Sequence, residues 1–181
     1  MIVGRLIAVV GPSGAGKDTL IDGACAARED LRPVRRAITR PVDAGGEVHE
    51  ALTKDAFARR LEQGAFAIHW DAHGLSYGIP AEIDDWLASG ATVLFNGSRA
   101  ALPAALARYP GLEIILVTAP PEVLARRLAS RGRETETDIS ERLVRKAYPV
   151  PDDTQIVVND GSVDEGIARL LTVLTRSTQS A

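Results

Sequence analysis

The stretch GPSGAGKDT, residues 11–19, carries the residue types that a phosphate-binding loop needs. Its glycines allow the backbone to curl, so that successive amide N–H groups can point at phosphate oxygens. Lys17 follows at the spacing from which its ammonium group reaches the β- and γ-phosphates of a nucleoside triphosphate, and we predict that it is catalytic. The predicted ATP-binding residues are Gly11, Pro12, Ser13, Gly14, Ala15, Gly16, Lys17, Asp18 and Thr19.

Asp18 stands where such loops ordinarily carry the Ser or Thr hydroxyl that meets Mg²⁺. Its carboxylate could hold Mg²⁺ directly or through a water, because oxygen ligands suit that ion. Alternatively, Asp18 is a first-turn acid favoured by the helix dipole, and Thr19 supplies the hydroxyl. An extra negative charge beside a triphosphate is costly without a nearby cation, which favours the metal role. We therefore predict a requirement for Mg²⁺, with Asp18 and Thr19 as candidate ligands.

Further cations lie in the stretch RRLASRGRETETDISER, residues 126–142, which is typical of two helical pieces joined by a polar turn. Arg127 and Arg131 are four residues apart and share a helix face, while Arg142 follows on the far side of the turn. Such a hairpin can close over a triphosphate and neutralise charge on the transferred group. A solvated face with i,i+4 Glu/Arg pairs is the alternative, and it suits Arg126 and Arg127 better. We predict that Arg131 and Arg142 are catalytic.

The elements that must position these residues follow an alternating pattern. Apolar runs bounded by turn residues predict buried parallel strands at 6–10, 92–95, 114–117 and 156–158. Helical spacing predicts helices at 19–27, 80–88, 99–107, 121–130, 138–147 and 163–175. Strands that alternate with helices indicate an α/β fold with a parallel, doubly wound sheet.

We expect one domain over residues 1–181, with its core at 1–33 and 79–177. Residues 34–78 break the alternation with short mixed pieces, including a helix-like KDAFARRLEQG, and predict a small inserted subdomain. The arginine-bearing lid is expected at about 126–147.

Composition bounds the function and the surroundings of the protein. The formal net charge is −3 with mixed signs along the chain, which argues against a nucleic-acid or membrane-surface partner. Cys25 is the only cysteine, so no internal disulfide forms, as expected in a reducing compartment. LIAVV is too short for a signal-peptide core, and no apolar run could cross a bilayer. We expect a soluble, cytoplasmic protein, and a homodimer is compatible with the sequence.

Several motifs together resemble the guanylate kinase superfamily. They are RLASRGRETETDISERL in the lid, ITRP at 38–41, Gly46 with Glu47, Tyr77 with Gly78, and VND at 158–160. The resemblance covers nearly the whole chain and implies a P-loop kinase fold with an inserted acceptor-binding subdomain and a helical lid. It also implies that Arg131 and Arg142 bind phosphate groups of ATP, and that Arg40 and Tyr77 grip the acceptor phosphate.

The sequence also departs from guanylate kinases in ways that bear on the acceptor. Asp43 stands where they carry a second phosphate-gripping arginine, and Ile68 falls on their guanine-reading glutamate. An apolar residue there would leave the donors of guanine unpaired. The motifs GKDT, RAITRPVDAGGEVHEAL, HWDAHGLSYGIP and NGSRAALP more closely resemble the ribose 1,5-bisphosphate phosphokinase family. That resemblance implies ATP-dependent conversion of ribose 1,5-bisphosphate to 5-phosphoribosyl 1-diphosphate (PRPP) and ADP, in phosphonate utilisation.

The end of the second predicted core strand, LFNGSR, supports an acceptor that is already a phosphate. Kinases acting on a hydroxyl usually place a carboxylate to take its proton, and here the amide of Asn96 occupies the expected place. We assign Asn96, Ser98 and Arg99 to sugar or phosphate contacts, although Ser98 could simply cap the following helix. The expected partners are therefore ATP and a small phosphorylated sugar. The alternatives are a guanylate kinase-type enzyme and a non-catalytic binding module.

The types and spacing of several other polar residues do not point to one role. Glu47 and His49 could meet ribose hydroxyls, and we count Glu47 among the substrate-binding residues. Arg35 and Arg36 receive no function, although one of them should face solvent if the segment is a strand. His69 and His73 have the spacing of a zinc pair, but the segment is not helical and no further ligands accompany them.

Overall fold

The core of the protein, in a computed structural model that describes residues 4–42, 47–130 and 149–177, is a five-stranded parallel sheet. Its strands, in spatial order, are β2 (Leu31–Pro33), β7 (Thr92–Asn96), β1 (Arg5–Val10), β8 (Glu113–Thr118) and β9 (Gln155–Val158). The four core strands predicted from apolar runs are confirmed. Strand β2 was not predicted, because it is short and only Leu31 is buried. The expected doubly wound α/β architecture is confirmed.

The helices follow the predicted order. They are α1 (Lys17–Ala27), α2 (Lys54–Glu62), α3 (Ile83–Ala88), α4 (Leu102–Arg108), α5 (Pro121–Ser130) and α6 (Val163–Ser177). Helix α3 begins later than predicted because Pro80 ends a strand, and a 3₁₀ turn at Arg99–Ala101 precedes α4. The predicted helix at 138–147 lies outside the described residues. Within the described ranges, no helix has the length and apolar character required to cross a membrane.

Side chains of the core strands alternate between two apolar layers, as a parallel sheet covered on both faces requires. Ile7 and Val9 of β1 pack on the side of α1, α5 and α6, whereas Ala8 and Val10 pack on the side of α3 and α4. All four residues are fully buried. The sheet therefore forms a rigid base whose carboxyl edge carries the loops.

A second sheet lies in the region that the sequence predicts as an insertion. It contains β3 (Ala37–Ile38), β4 (Glu50–Ala51), β5 (Phe66–Ala72) and β6 (Leu75–Pro80), in the order β4–β3–β6–β5. Strands β5 and β6 form an antiparallel hairpin. Phe57 of α2 stacks on Phe66 of β5 with ring centroids 4.6 Å apart, so the helix is anchored to this sheet. The boundaries at 34 and 78 remain predictions.

Asn159, which follows β9, connects the last part of the fold to the loop after β1. Its Nδ2 donates to the carbonyl oxygen of Ala15 at 2.8 Å, and its backbone N–H donates to Thr118 at 2.7 Å. Gly166 of α6 leaves room for this side chain, since a Cβ atom there would lie 2.5 Å from Asn159 Oδ1 and 2.8 Å from Leu20 Cδ2. The helix thus packs close enough to hold Asn159 against the loop.

Gly166→Ala is expected to destabilise the protein, although alanine ordinarily stabilises a helix by about 1 kcal/mol relative to glycine. The added methyl must displace Asn159 or Leu20, and overpacking of this kind costs roughly 1–3 kcal/mol. Urea unfolding should therefore give a lower free energy of unfolding, and ATP binding should weaken because the loop loses its support from Asn159.

Ala168→Gly, at an exposed position of the same helix, is the matched control. It should lower the free energy of unfolding by about 1 kcal/mol through helix propensity alone and leave ATP binding unchanged. A Gly166→Ala variant that is more stable than the parent protein would contradict the proposed packing.

Candidate active site

The loop between β1 and α1 has the curled backbone that phosphate binding requires. Gly11, Gly14 and Gly16 have φ values of 149°, 84° and 88°, a region that side chains rarely adopt. At Gly11 a Cβ atom would lie 2.0 Å from the carbonyl oxygen of Val117, and at Gly16 it would lie 2.7 Å from Asn159 Nδ2. Both conformation and space therefore demand glycine at these two positions.

Lys17 lies across this loop. Its Nζ donates to the carbonyl oxygens of Gly11 and Pro12 at 3.0 and 3.1 Å, and α1 begins at Lys17 itself. The helix N-terminus and the ammonium group therefore face the same place, and both favour an anion there. Ala15, in contrast, has its side chain fully buried beneath the loop.

One cavity of about 840 Å³ extends from this loop to the second sheet. Its lining from the loop and α1 consists of Gly11, Pro12, Ser13, Gly14, Gly16, Lys17, Asp18 and Thr19. Beyond the end of β7 it is lined by Asn96, Gly97, Ser98, Arg99 and Ala100. From the second sheet it is lined by Arg36, Trp70, Asp71, Ala72, His73 and Tyr77, and Pro149 completes the lining. The residues predicted to bind ATP, Ala15 excepted, thus share one cavity with four residues predicted to bind the acceptor, namely Tyr77, Asn96, Ser98 and Arg99.

Asp18 is oriented by Asn96, whose Nδ2 donates to Asp18 Oδ1 at 2.7 Å. Burial and the charge of Asp18 both raise the pKa of Asp22, one helical turn further along. Within the described ranges, no group of three or more His, Cys, Asp or Glu side chains could form a metal site. This donor set suits Mg²⁺, which commonly takes one or two protein oxygens together with substrate phosphates. The carboxylate of Asp18 and the hydroxyl of Thr19 would be those oxygens.

Arg36 lines the cavity, although its sequence context predicts no function for it. It is buried, whereas Arg35 is exposed, in line with the expectation that one of the two faces solvent. Its Nη1 donates to the carbonyl oxygen of Asn96 at 2.9 Å, and its Nε donates to Glu47 Oε2 at 2.9 Å. No local pattern could have identified it, because its partners lie 11 and 60 residues away.

Glu47 and Arg40 are not among the residues that line this cavity, although Arg40 is partly exposed. The carboxylate of Glu47 is largely occupied by Arg36, and Arg40 Nη2 lies 3.9 Å from Glu47 Oε1. Burial raises the pKa of Glu47, and the charge and hydrogen bonds of Arg36 oppose that shift. Arg40 Nε is buried without a hydrogen-bond partner among the described residues, so this guanidinium retains donor capacity.

His49 is buried between two backbone carbonyl groups. Its Nδ1 lies 3.0 Å from the oxygen of Glu47, and its Nε2 lies 2.9 Å from the oxygen of Arg40. These contacts hold the segment that carries Glu47 and Arg40 in place. They disfavour the idea that His49 meets a ribose hydroxyl.

The β5–β6 hairpin forms part of the cavity wall on the side of the second sheet. The rings of Trp70 and Tyr77 stack with centroids 5.3 Å apart, and both residues are buried and line the cavity. His73 lies in the hairpin turn with φ 54° and lines the cavity, whereas His69 is exposed. Trp70 therefore belongs to the core and also shapes the site.

Ser98 and Arg99 lie beyond the carboxyl end of β7, where open α/β sheets bind ligands. Ser98 Oγ accepts a hydrogen bond of 3.3 Å from the N–H of Ala100, so the serine caps the 3₁₀ turn while it lines the cavity. Arg99 is half-buried, and burial alone lowers the pKa of its guanidinium. A partly desolvated cation in a cavity wall suits an anionic group of a ligand.

Of the lid arginines, Arg126 and Arg127 are described, and Arg127 contacts the loop. Its Nη1 lies 3.5 Å from the carbonyl oxygen of Gly14. Arg131, Arg142 and Asp43 lie outside the described residues, so their predicted roles remain predictions.

Comparison with known proteins identifies relatives along almost the whole chain. The ribose 1,5-bisphosphate phosphokinase of Thiobacillus denitrificans is 49% identical over 97% of this chain and 95% of its own length. The enzyme of the same name from Agrobacterium fabrum is 44% identical over 97% and 99% of the two chains. A bifunctional ribose 1,5-bisphosphokinase-thymidine phosphorylase of Azorhizobium caulinodans is 49% identical, but this chain spans only 26% of its length. No family model matches the chain.

Among solved structures, a guanylate kinase from Anaplasma phagocytophilum superposes with a TM-score of 0.74 at 19% identity, covering 97% of this chain and 86% of that one. A gluconokinase from Sinorhizobium meliloti gives a TM-score of 0.57, also at 19% identity, over 99% and 97% of the two chains. Identities this low establish only the fold, which is guanylate kinase-like. The much higher identity to relatives of matching length is decisive: the chain belongs to the ribose 1,5-bisphosphate phosphokinase family.

Proposed function

We propose that the protein transfers the γ-phosphoryl group of Mg²⁺-bound ATP to the 1-phosphate of ribose 1,5-bisphosphate, giving PRPP and ADP, as a step in phosphonate utilisation. The observation that carries this proposal is the end of β7. An amide, Asn96, lies there, and its N–H is already donated to Asp18. An acceptor that had to lose a proton would meet this amide at the strand end, and the neighbouring Asp18 carboxylate is the proposed metal ligand rather than a base.

The chemistry of a phosphate acceptor fits this arrangement. A phosphate monoester has a second pKa near about 6, so its oxygens are mostly deprotonated at neutral pH. One such oxygen attacks the γ-phosphorus, a new P–O bond forms, and the bond to the β-phosphate oxygen breaks to release ADP. Positioning and charge neutralisation then supply most of the catalysis.

Residues of the loop and α1 take the donor side in this proposal. Backbone N–H groups of residues 13–17 cradle the phosphates of ATP, and Lys17 neutralises charge on the transferred group. When bound, Mg²⁺ would neutralise charge that develops on the phosphate oxygens, and Asp18 and Thr19 would hold it. Arg131 and Arg142 are proposed to add positive charge as the lid closes.

The acceptor side is proposed to use two groups of residues. Arg40 and Tyr77 grip the 1-phosphate, and Glu47 supports them by engaging Arg36 and Arg40. Asn96, Ser98 and Arg99 line the space for the rest of the sugar phosphate. We place the reaction in the cytoplasm, where ATP is supplied, with ATP and the phosphorylated sugar as the partners; a homodimer is compatible with this proposal.

The second sheet disfavours GMP as the acceptor. Ile68, at the position of the guanine-reading glutamate, is buried and pairs with the fully buried Ile79. An apolar side chain in that place cannot accept the N–H donors of guanine. We expect ADP release from ATP with ribose 1,5-bisphosphate and not with GMP, dGMP or AMP. ADP release with GMP alone would establish the guanylate kinase alternative, and ATP binding without any release would favour a binding module.

Lys17→Ala is expected to lower kcat by a factor on the order of 10²–10³, because a preorganised cation is lost from the transferred phosphoryl group. Steady-state ADP release measures this effect, and circular dichroism should show an unchanged fold. Lys54→Ala, at an exposed position of α2, is the matched control and should leave kcat unaltered. Normal turnover in Lys17→Ala would place the donor site elsewhere.

Arg99→Ala is expected to raise the KM for ribose 1,5-bisphosphate by about 10- to 100-fold, since hydrogen bonds to charged groups contribute roughly 1.5–3 kcal/mol. The KM for ATP should change little, because Arg99 lies on the acceptor side. Arg108→Ala, which removes an exposed arginine paired with Asp84, serves as the control. If Arg99→Ala alters neither kcat nor the acceptor KM, its assignment is wrong.

A further inference from the structure

Arg36 links the second sheet to the core sheet at the centre of the cavity. It lies just before β3, and only 8% of its surface is exposed. On one side its guanidinium forms a two-pronged ion pair with the carboxylate of Glu47. On the other side its Nη1 donates to the carbonyl oxygen of Asn96, the last residue of β7. The carbon of the guanidinium lies 5.8 Å from the Trp70 ring and 5.2 Å from the Tyr77 ring.

These contacts leave Arg36 poorly suited to bind a substrate phosphate. Its charge is balanced by Glu47, whose side chain is only 11% exposed, and its fork of N–H groups is directed at Glu47 and Asn96. A buried bidentate pair of this kind fixes geometry more reliably than it attracts an outside anion. The donors of Arg36 therefore indicate a role in holding Glu47 and the Asn96 carbonyl group in place.

The peptide unit that joins Asn96 to Gly97 is held from both ends. Arg36 Nη1 donates to its carbonyl oxygen at 2.9 Å, and its N–H, on Gly97, donates to the carbonyl oxygen of Val9 at 2.9 Å. Because a peptide unit is planar, two hydrogen bonds at opposite ends fix its orientation. The direction in which the Asn96 side chain leaves the strand is thereby limited.

The Asn96 side chain in turn reaches Asp18. The hydrogen bond from Asn96 Nδ2 to Asp18 Oδ1 is 2.7 Å long. An uninterrupted chain of contacts therefore runs from Glu47 through Arg36 and Asn96 to Asp18. It starts in the acceptor-side segment and ends at the candidate metal ligand.

We propose that Arg36 is a positioning residue: it fixes the Asn96–Gly97 peptide, and through the Asn96 amide it orients the Asp18 carboxylate toward the divalent cation of the bound nucleotide. This inference rests on the proposed function only in that a metal-bound nucleotide occupies the loop. It does not depend on which acceptor is used. Removing a residue that orients a metal ligand typically weakens metal binding by 10- to 100-fold.

The test measures metal binding directly. Mn²⁺ is titrated into the protein saturated with a non-hydrolysable ATP analogue, and free Mn²⁺ is followed by electron paramagnetic resonance. Arg36→Gln should raise the Kd of Mn²⁺ by about tenfold, while the affinity for the analogue without metal stays unchanged. Arg59→Gln, an exposed arginine of α2, is the control and should match the parent protein.

The route through Asn96 is tested by combining substitutions. Asn96→Ala alone should weaken Mn²⁺ binding to a similar extent, and Arg36→Gln added to Asn96→Ala should cause no further loss. Additive losses, or an unchanged Kd of Mn²⁺ in a folded Arg36→Gln protein, would overturn the proposal. A raised acceptor KM with normal Mn²⁺ binding would instead make Arg36 an acceptor ligand.

Arg36→Lys keeps the test decisive if Arg36→Gln fails to fold. Lysine retains the charge beside Glu47, but its single ammonium group cannot engage Glu47 and the Asn96 carbonyl with the same fork geometry. It should therefore fold and still bind Mn²⁺ several-fold more weakly than the parent protein, and full affinity in this variant would refute the proposal. If ribose 1,5-bisphosphate proved not to be the acceptor, the expected Mn²⁺ affinities would be unaffected. The two proposals can therefore fail separately.

Discussion

Parallel pairing of β1 between β7 and β8 is the constraint on which the site depends. The register sets Val9 beside Asn96 and Val10 beside Leu116, so the three strands end at one edge of the sheet. The chain leaves β1 at Gly11, directly against the carbonyl oxygen of Val117, where no larger residue fits. The loop that follows leads into α1, which begins at Lys17. Asp18 and Asn96, 78 residues apart in the chain, can meet only because this register holds.

Charge balance explains why so many ionic side chains surround one cavity. A nucleoside triphosphate and a bisphosphate repel each other strongly, and a low-dielectric cleft makes that repulsion larger. Lys17 and Arg99 line the cavity, and we propose that they offset this repulsion together with Arg40. Glu47 balances Arg36, so this buried arginine serves the geometry of the site. Asp18 adds a negative charge, and a bound metal ion would offset its cost beside a triphosphate.

Local patterns in the sequence were sufficient to predict part of this structure. The loop at 11–19 and the buried strands depend on nearby glycines and continuous apolar runs, and these predictions are confirmed as features of the fold. Arg36 and Asn159 could not be assigned in this way, because their partners lie 60 and 144 residues away. Strand β2 has too few buried residues to form an apolar run. Hydrogen bonds that close over such distances are set by the register of the sheets.

The most direct measurement of the central claim is the identity of the product. Phosphorus NMR of a reaction containing ATP, Mg²⁺ and ribose 1,5-bisphosphate should show two coupled diphosphate resonances on the sugar, an unchanged 5-phosphate resonance and one equivalent of ADP. Together these signals define PRPP and place the new bond on the 1-phosphate. A new diphosphate at the 5-position, or ADP without any sugar diphosphate, would contradict the account.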